Sequence, residues 1–419
     1  MNEFSILLLN NFLYGSAFIL FLKWKSISNI STLLLLIYLL SSLCSTGYYC
    51  APLYYTSFTS HGTIGVEAVI YLFVINFLLC TSFRNFSFDN KTIITNYSFR
   101  TIYKIQSFLF WGFLLVFICG LPDMLRLSSV SNLGSLKETV YEDGNLGGNF
   151  FLSTLFSRIF GEASIFLAFV PIFNYVKLKR IKKFDYACIV LYILLSIQTV
   201  FFAVSRSIIF IRLVILFFII SIFFNFITRK ILIRLILLFL LVLPLFFSLF
   251  SAISVSRFGK DKEAQAFATI RYAGEAQLNF IGLMYGNTKG ETYGYRLLPI
   301  PRRCLGLPYY GDSGTDKETY KNYLDRYNPN PNNVYYQYAG ELYLSFGFYG
   351  ALLFCILLNI YFSRYFITSK SISYIKLVSC AYFASIAAVG IFYPANASEA
   401  GNMIIILLIC TGRYLKRYK

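Results

Sequence analysis

The sequence predicts an all-α, polytopic membrane protein of about eleven spans, and three observations predict it. Only 13% of the 419 residues are charged and 57% are hydrophobic, where a soluble globule carries about 25% charge. Apolar runs of about 20 residues recur along the chain, each long enough to cross roughly 30 Å of hydrocarbon. The basic residues gather in every second loop between those runs, the pattern that fixes orientation in a bilayer.

The runs follow in order. The first covers about Phe4 to Leu22 and ends at Lys23 and Lys25. It has no basic leader and no small-residue cleavage site, so it reads as a helix rather than a removed signal. The second is about Ile30 to Cys50, the third Ile64 to Phe83 and the fourth Ile105 to Leu121. A fifth spans Phe150 to Phe173 and precedes KLKRIKK at 177–183, the densest basic run. The sixth and seventh, Tyr186 to Val204 and Ser207 to Ile227, are parted only by Ser205 and Arg206. The eighth ends near Phe250. The ninth to eleventh cover Ala339 to Phe362, Leu377 to Phe392 and Ala400 to Gly412. Residues 1–250 thus hold eight helices, 251–338 form one large loop, and 339–419 hold three helices and a tail.

One set of alternate loops (23–25, 84–104, 177–185, 229–234, 364–376 and 413–419) carries 21 Lys/Arg against only Asp89 and Asp185. The positive-inside rule places that set in the cytoplasm. The N-terminus and the 251–338 loop are then periplasmic, and the C-terminus is cytoplasmic. This distribution also accounts for the net charge of +18 without a nucleic-acid partner, since the charge forms no continuous basic surface. The nine cysteines form no CxxC pair and His61 is the lone histidine. No metal or cofactor is expected.

Charges at the edges of apolar runs are costly and mark candidate function. Glu67 lies near the outer end of the third helix. Arg158 and Glu162 are four apart on the fifth, on one face; they suit a structural pair or a ligand site equally. Arg206 and Arg212 begin the seventh and Glu341 opens the ninth. The large loop holds five of ten prolines, twelve of 34 tyrosines and eleven of 37 Lys/Arg. Within it, residues 264–285 have near-helical apolar spacing and predict an amphipathic helix on the outer interface, with Arg257, Lys260 and Arg271 toward headgroups or an anion. Arg296, Arg302 and Arg303 gather round Pro299 and Pro301. Guanidinium groups offer a planar donor fork suited to phosphate oxygens. The acidic residues Asp312, Asp316, Glu318 and Asp325 do not have calcium-loop spacing.

Three stretches carry a resemblance: VSRSIIF at 204–210, YGYRLLPIPRR at 293–303 and GELYLSFGFYG at 340–350. With a large outer loop before the last helices, they resemble the bacterial O-antigen and capsule repeat-unit polymerases. The resemblance implies a lipid-dependent glycosyltransferase fold in the bacterial inner membrane. It implies transfer of a glycan from undecaprenyl diphosphate, en bloc, to the non-reducing end of another carrier-linked repeat unit. It further implies metal-independent catalysis, in keeping with the lack of any DxD motif. Arg206, Arg271, Arg296 and Arg302 would stabilise the departing diphosphate, and Glu341 would take the acceptor proton. Arg158, Arg257 and Arg303 would add donor contacts, and Tyr295, Tyr335 and Tyr338 would stack on sugar. Implied partners are carrier-linked donor and acceptor, membrane lipid, a chain-length regulator and a flippase.

Two other readings share this architecture. An O-antigen ligase of this type has a histidine in its outer loop, and residues 251–338 contain none. A lipid-linked oligosaccharide flippase has short loops and two similar halves, and no internal repeat is visible here.

Overall fold

The computed structural model describes residues 2–51, 64–88, 92–95, 98–128, 164–203, 206–229, 262–285, 293–295, 297–307, 336–367, 371–392 and 399–417, with Ile233 and Leu237. The helices are α1 (Glu3–Lys25), α2 (Ile30–Tyr49), α3 (Val66–Thr81), α4 (Phe99–Ser128), α5 (Ile165–Leu178), α6 (Lys183–Ala203) and α7 (Arg206–Phe223). They continue with α8 (Lys262–Tyr285), α9 (Pro299–Cys304), α10 (Gln337–Tyr365), α11 (Tyr374–Val389) and α12 (Glu399–Arg417). Strand β1 (Ile93–Thr95) pairs in parallel with β2 (Ser371–Ser373), Ile94 opposite Ile372.

The chain is a helical, multi-pass membrane protein, but the expectation of eleven spans is overturned. Among the described residues, four helices are long and apolar enough to cross a membrane: Glu3–Lys25, Ile30–Tyr49, Phe99–Pro122 and Gln337–Tyr365. Five more are apolar but shorter, among them α3, α5 and α11. A helix of 16 residues, such as α3, rises roughly 24 Å and falls short of a hydrocarbon core. At its end the Thr81 and Ser82 hydroxyls donate to the Phe77 and Leu78 carbonyls, at 2.7 and 2.9 Å. The expected eighth helix and the first half of the fifth lie outside the described residues. The expected lipid-dependent glycosyltransferase fold falls with the span count.

Within residues 251–338 the expected helix is present as α8, 24 residues long, and the correction concerns its place. This helix was expected on the outer interface. Instead Ala276, Leu278, Phe280 and Ile281 are fully buried, and α8 packs against α2, α3 and α10. Gly274 permits that approach. A Cβ there would sit 2.6 Å from the Cys44 carbonyl carbon and oxygen and from the Ser45 nitrogen. The helices meet backbone to backbone, the close approach small residues allow between membrane helices.

The chain forms two compact units. One comprises Met1–Ser87, Asp261–Ile367 and Phe383–Asn402. There α1 packs on α2 and α3, and α10 on α3 and α8. Ile6, Leu7, Tyr48, Ala68, Leu278 and Ile281 close one core cluster. The first turn of α10 is hung on the chain after α11: Gln337 and Tyr338 donate their amides to Phe392 and Gly390 carbonyls at 3.1 and 2.8 Å. Helix α10 breaks at Gly347, whose φ of 68° and ψ of −174° suit only glycine. Tyr71 braces the break. Its ring stacks on Phe348 at 4.3 Å and its hydroxyl donates to the Phe348 carbonyl at 2.7 Å.

The other unit comprises Phe88–Lys260, Thr368–Tyr382 and Met403–Lys419. In it α6 packs on α4, α5 and α7. The buried Asp185 is its polar centre. One carboxylate oxygen accepts from Gln106 on α4 and Asn174 on α5, at 3.0 and 3.1 Å. The other accepts the Lys182 amide at 3.0 Å, capping α6. Arg212 on α7 donates to Ser164 at 2.6 Å, just before α5.

Two substitutions check these contacts. Gly274→Val should abolish monodisperse, folded protein in detergent, while Gly47→Ala, whose Cβ would meet only Ile270 Cγ2 at 3.7 Å, should leave the size-exclusion profile unchanged. Asp185→Ala strands two buried amides, and should lower unfolding free energy by about 3 kcal/mol in a thermal or denaturant titration.

Candidate functional site

The first unit carries a polar interior that hydropathy alone does not reveal. Helix α1 contributes Asn10, Asn11 and Tyr14; α2 contributes Ser41, Ser42, Ser45 and Thr46; α3 contributes Asn76. Helix α8 adds Glu275, Gln277 and Asn279, and α10 adds Gln337 and Glu341. Most of these groups are buried. Asn10 donates through Nδ2 to Ser42 Oγ at 2.9 Å and to Gln277 Oε1 at 2.8 Å. Asn76 donates through Nδ2 to Tyr14 Oη and to Gln337 Oε1, both at 2.9 Å. Ser41 and Ser45 donate to the Ala273 and Gly274 carbonyls, at 3.0 and 2.6 Å.

Each amide pair uses only one of its two possible bonds. Among the described residues, Asn10 Oδ1 and Gln277 Nε2 are buried without a hydrogen-bond partner, and so are Asn76 Oδ1 and Gln337 Nε2. In a low-dielectric interior such groups cost about 1–3 kcal/mol each unless water or a ligand hydroxyl reaches them. The seam therefore holds both donors and acceptors suited to hydroxyl groups. None of these amides was singled out from sequence. The signal available was Asn10 with Asn11 in the first apolar run and Asn76 in the third.

The second feature is a guanidinium turn. Tyr293 and Gly294 take φ of 46° and 75°, and Leu298 donates its amide to the Gly294 carbonyl at 2.9 Å. Pro299 then opens α9, where its missing N–H costs nothing. Arg302 Nη1 reaches back to the Tyr293 carbonyl at 2.8 Å, and its guanidinium stands 5.8 Å from the centre of the Tyr295 ring. Arg303 beside it is exposed. Asn402 donates to the Leu297 carbonyl at 3.2 Å, tying the turn to the start of α12. The proline pair thus fixes two arginines and a tyrosine in one short segment.

The expected site residues fall as follows. Arg302, Arg303 and Tyr295 are brought together. Tyr338 and Glu341 share a face of the first turns of α10, and Glu341 is 2% exposed. Arg271 belongs to α8 and is paired through Nε with Glu275 at 2.8 Å, a carboxylate the sequence reading passed over. All six lie in the first unit. Arg206 is the first residue of α7, in the other unit. Glu67 is exposed on the first turn of α3. Arg158, Glu162, Arg257, Lys260, Arg296 and Tyr335, with the acidic residues at 312–325, lie outside the described residues. Among the described residues, no cluster of His, Cys, Asp and Glu could hold a metal ion.

Compared with protein-family profiles, with characterised proteins and with solved structures, the chain matches none. Fold and seam together define a class, a helical multi-pass membrane protein with a polar, amide-rich interior in one unit.

A double-mutant cycle tests the seam. Asn76→Ala and Gln337→Ala should couple by about 0.5–1.5 kcal/mol, the range for hydrogen bonds between membrane helices. Unfolding in mixed micelles reads it, and strict additivity would place the two amides apart.

Proposed function

We propose that this chain is an O-antigen or capsule repeat-unit polymerase of the bacterial inner membrane. It would work on carrier-linked glycans at the outer face. The observation that carries the reading is the guanidinium turn. Arg302 is held by the Tyr293 carbonyl and the Tyr295 ring, with Arg303 beside it. It lies within YGYRLLPIPRR, one of the stretches on which the resemblance rests. A held guanidinium loses little freedom on binding phosphate oxygens and makes charge-assisted bonds to them.

The chemistry balances as one displacement. The acceptor hydroxyl oxygen forms a bond to the donor's anomeric carbon while the anomeric C–O bond to diphosphate breaks. The electron pair leaves with undecaprenyl diphosphate. Arg302 and Arg303 stabilise that charge as it grows, an effect that acts on the transition state more than on the bound substrate. Arg296 would add a further cation. Arg271 joins it only by sharing its guanidinium with Glu275. The hydroxyl proton passes to Glu341 or to the departing diphosphate. Tyr295 and Tyr338 supply flat faces for sugar rings, and the amide seam supplies hydroxyl partners. No step calls for a metal or a cofactor.

The test reads glycan length on its final acceptor in cells lacking the gene. Deletion should leave a single-repeat band, and wild type should restore the ladder. Arg302→Ala should cut polymerisation about 10- to 100-fold, the weight of one or two charge-assisted bonds, with Arg302→Lys in between and folded protein in both. A full ladder from Arg302→Ala/Arg303→Ala would remove the diphosphate role. Long chains made on the carrier but absent from the acceptor would mean ligation. Units trapped on the inner face would mean transport.

A further inference from the structure

The first unit holds a second feature, at the end of its helices away from α8. The last turn of α1, the turn into α2, the turn after α3 and the end of α10 line an open cleft of about 550 Å³. Its lining among the described residues includes Trp24, Lys25, Asn29, Arg84, Phe86 and Ile367, with two cations and no carboxylate.

The cleft is built. Asn29 caps α2, accepting the Ser31 amide at 2.9 Å, while its Nδ2 donates to the Arg84 and Phe86 carbonyls at 3.3 and 3.4 Å. That clamp fixes the turn carrying Arg84. The guanidinium is then positioned by Asn359 Oδ1 at 2.7 Å and the Thr81 carbonyl at 3.3 Å, both through Nη1. Asn359 is itself held by the Leu78 carbonyl and Thr81 Oγ1, at 2.6 and 2.9 Å. Among the described residues, the Nε and Nη2 edge of Arg84 makes no other bond.

A structural duty explains only part of this. Arg84 serves the C-terminus of α3, as cations do at helix ends. Lys25 also lies in the last turn of α1, with Lys23. Its ammonium stands 4.3 Å from the centre of the Trp24 ring. Trp24 is 62% exposed and Ile367 is 48% exposed at the rim. Tryptophan and lysine side by side mark headgroup depth, and basic pockets between membrane helices take lipid phosphates.

We propose that this cleft binds the phosphate of an anionic membrane lipid. Lys25 and Arg84 would contact the phosphate oxygens, and Trp24 and Ile367 would lie along the glycerol and upper acyl chain. The site is separate from the guanidinium turn and does not depend on the glycan reading.

The test uses the full chain, delipidated in detergent and titrated with phosphatidylglycerol or phosphatidylcholine, with bound lipid counted by native mass spectrometry. Phosphatidylglycerol should be retained preferentially. Lys25→Gln should weaken it about fivefold, the effect of one cation near a lipid surface, and Lys25→Gln/Arg84→Gln further. Lys104→Gln, an exposed lysine on α4, should change nothing. Because Arg84 also holds Asn359, Lys25→Gln decides whether fold is the cause. Equal retention of the two lipids, or wild-type retention by Lys25→Gln, overturns the proposal. Displacement of the lipid by millimolar inorganic phosphate would assign the cleft to free phosphate and overturn the lipid assignment.

Discussion

The backbone contact between α2 and α8 is what the first unit depends on. Gly274 lets the two helices meet without side chains between them, and Ser41 and Ser45 convert the approach into hydrogen bonds to the α8 carbonyls. Once α8 is seated, Gln277 reaches Asn10 and Phe280 lies parallel to Tyr71 at 6.2 Å. Tyr71 in turn holds the break in α10. In hydrocarbon, apolar side chains gain little by leaving lipid for protein, so close packing and interhelical hydrogen bonds decide association. A single residue without a side chain therefore sets the depth of α8, and through it the place of Glu275 and the amide seam.

The two units solve the same problem differently. In the second, Asp185 collects Gln106, Asn174 and the Lys182 amide on its two oxygens. In the first, four amides share two bonds and leave donors and acceptors over. A network centred on one carboxylate rigidifies a core, although Asn174 Oδ1 is left over there among the described residues. The open pairs of the first unit keep capacity for hydroxyl groups. Those open pairs lie in the unit that also holds Arg302 and Glu341.

Much of the helix map was legible in the sequence. The starts of α1, α2 and α10 follow from the apolar runs that begin near Phe4, Ile30 and Ala339, because hydropathy is a local property. The number of spans was not legible. Apolarity reports burial without saying whether lipid or protein does the burying, so α3 and α11 read as spans although each has 16 residues. Helix α8 was legible as a helix from Phe267 and Ile270, but not its place. Its basic residue Arg271 suggested headgroups, whereas Asn10 at 2.8 Å from Gln277 supplies a partner inside the protein. The Arg302–Tyr295 pairing was half legible: Pro299 and Pro301 announced a stiff turn, but the left-handed Tyr293 that aims its carbonyl at Arg302 did not announce itself.

The long sequence separation of the seam has a consequence for how the protein is made. Asn10 and Asn76 leave the ribosome 267 and 261 residues ahead of Gln277 and Gln337. Throughout that interval Asn10 and Asn76 have Ser42 and Tyr14 but not their later partners, and the α2 groove that Gly274 will enter stays empty. The early helices must wait at the insertion machinery, or in a loose arrangement wetted by water, until α8 arrives. Final closure comes later still, when Gly390 and Phe392 receive the first turn of α10. Assembly of this unit is thus a late event in synthesis.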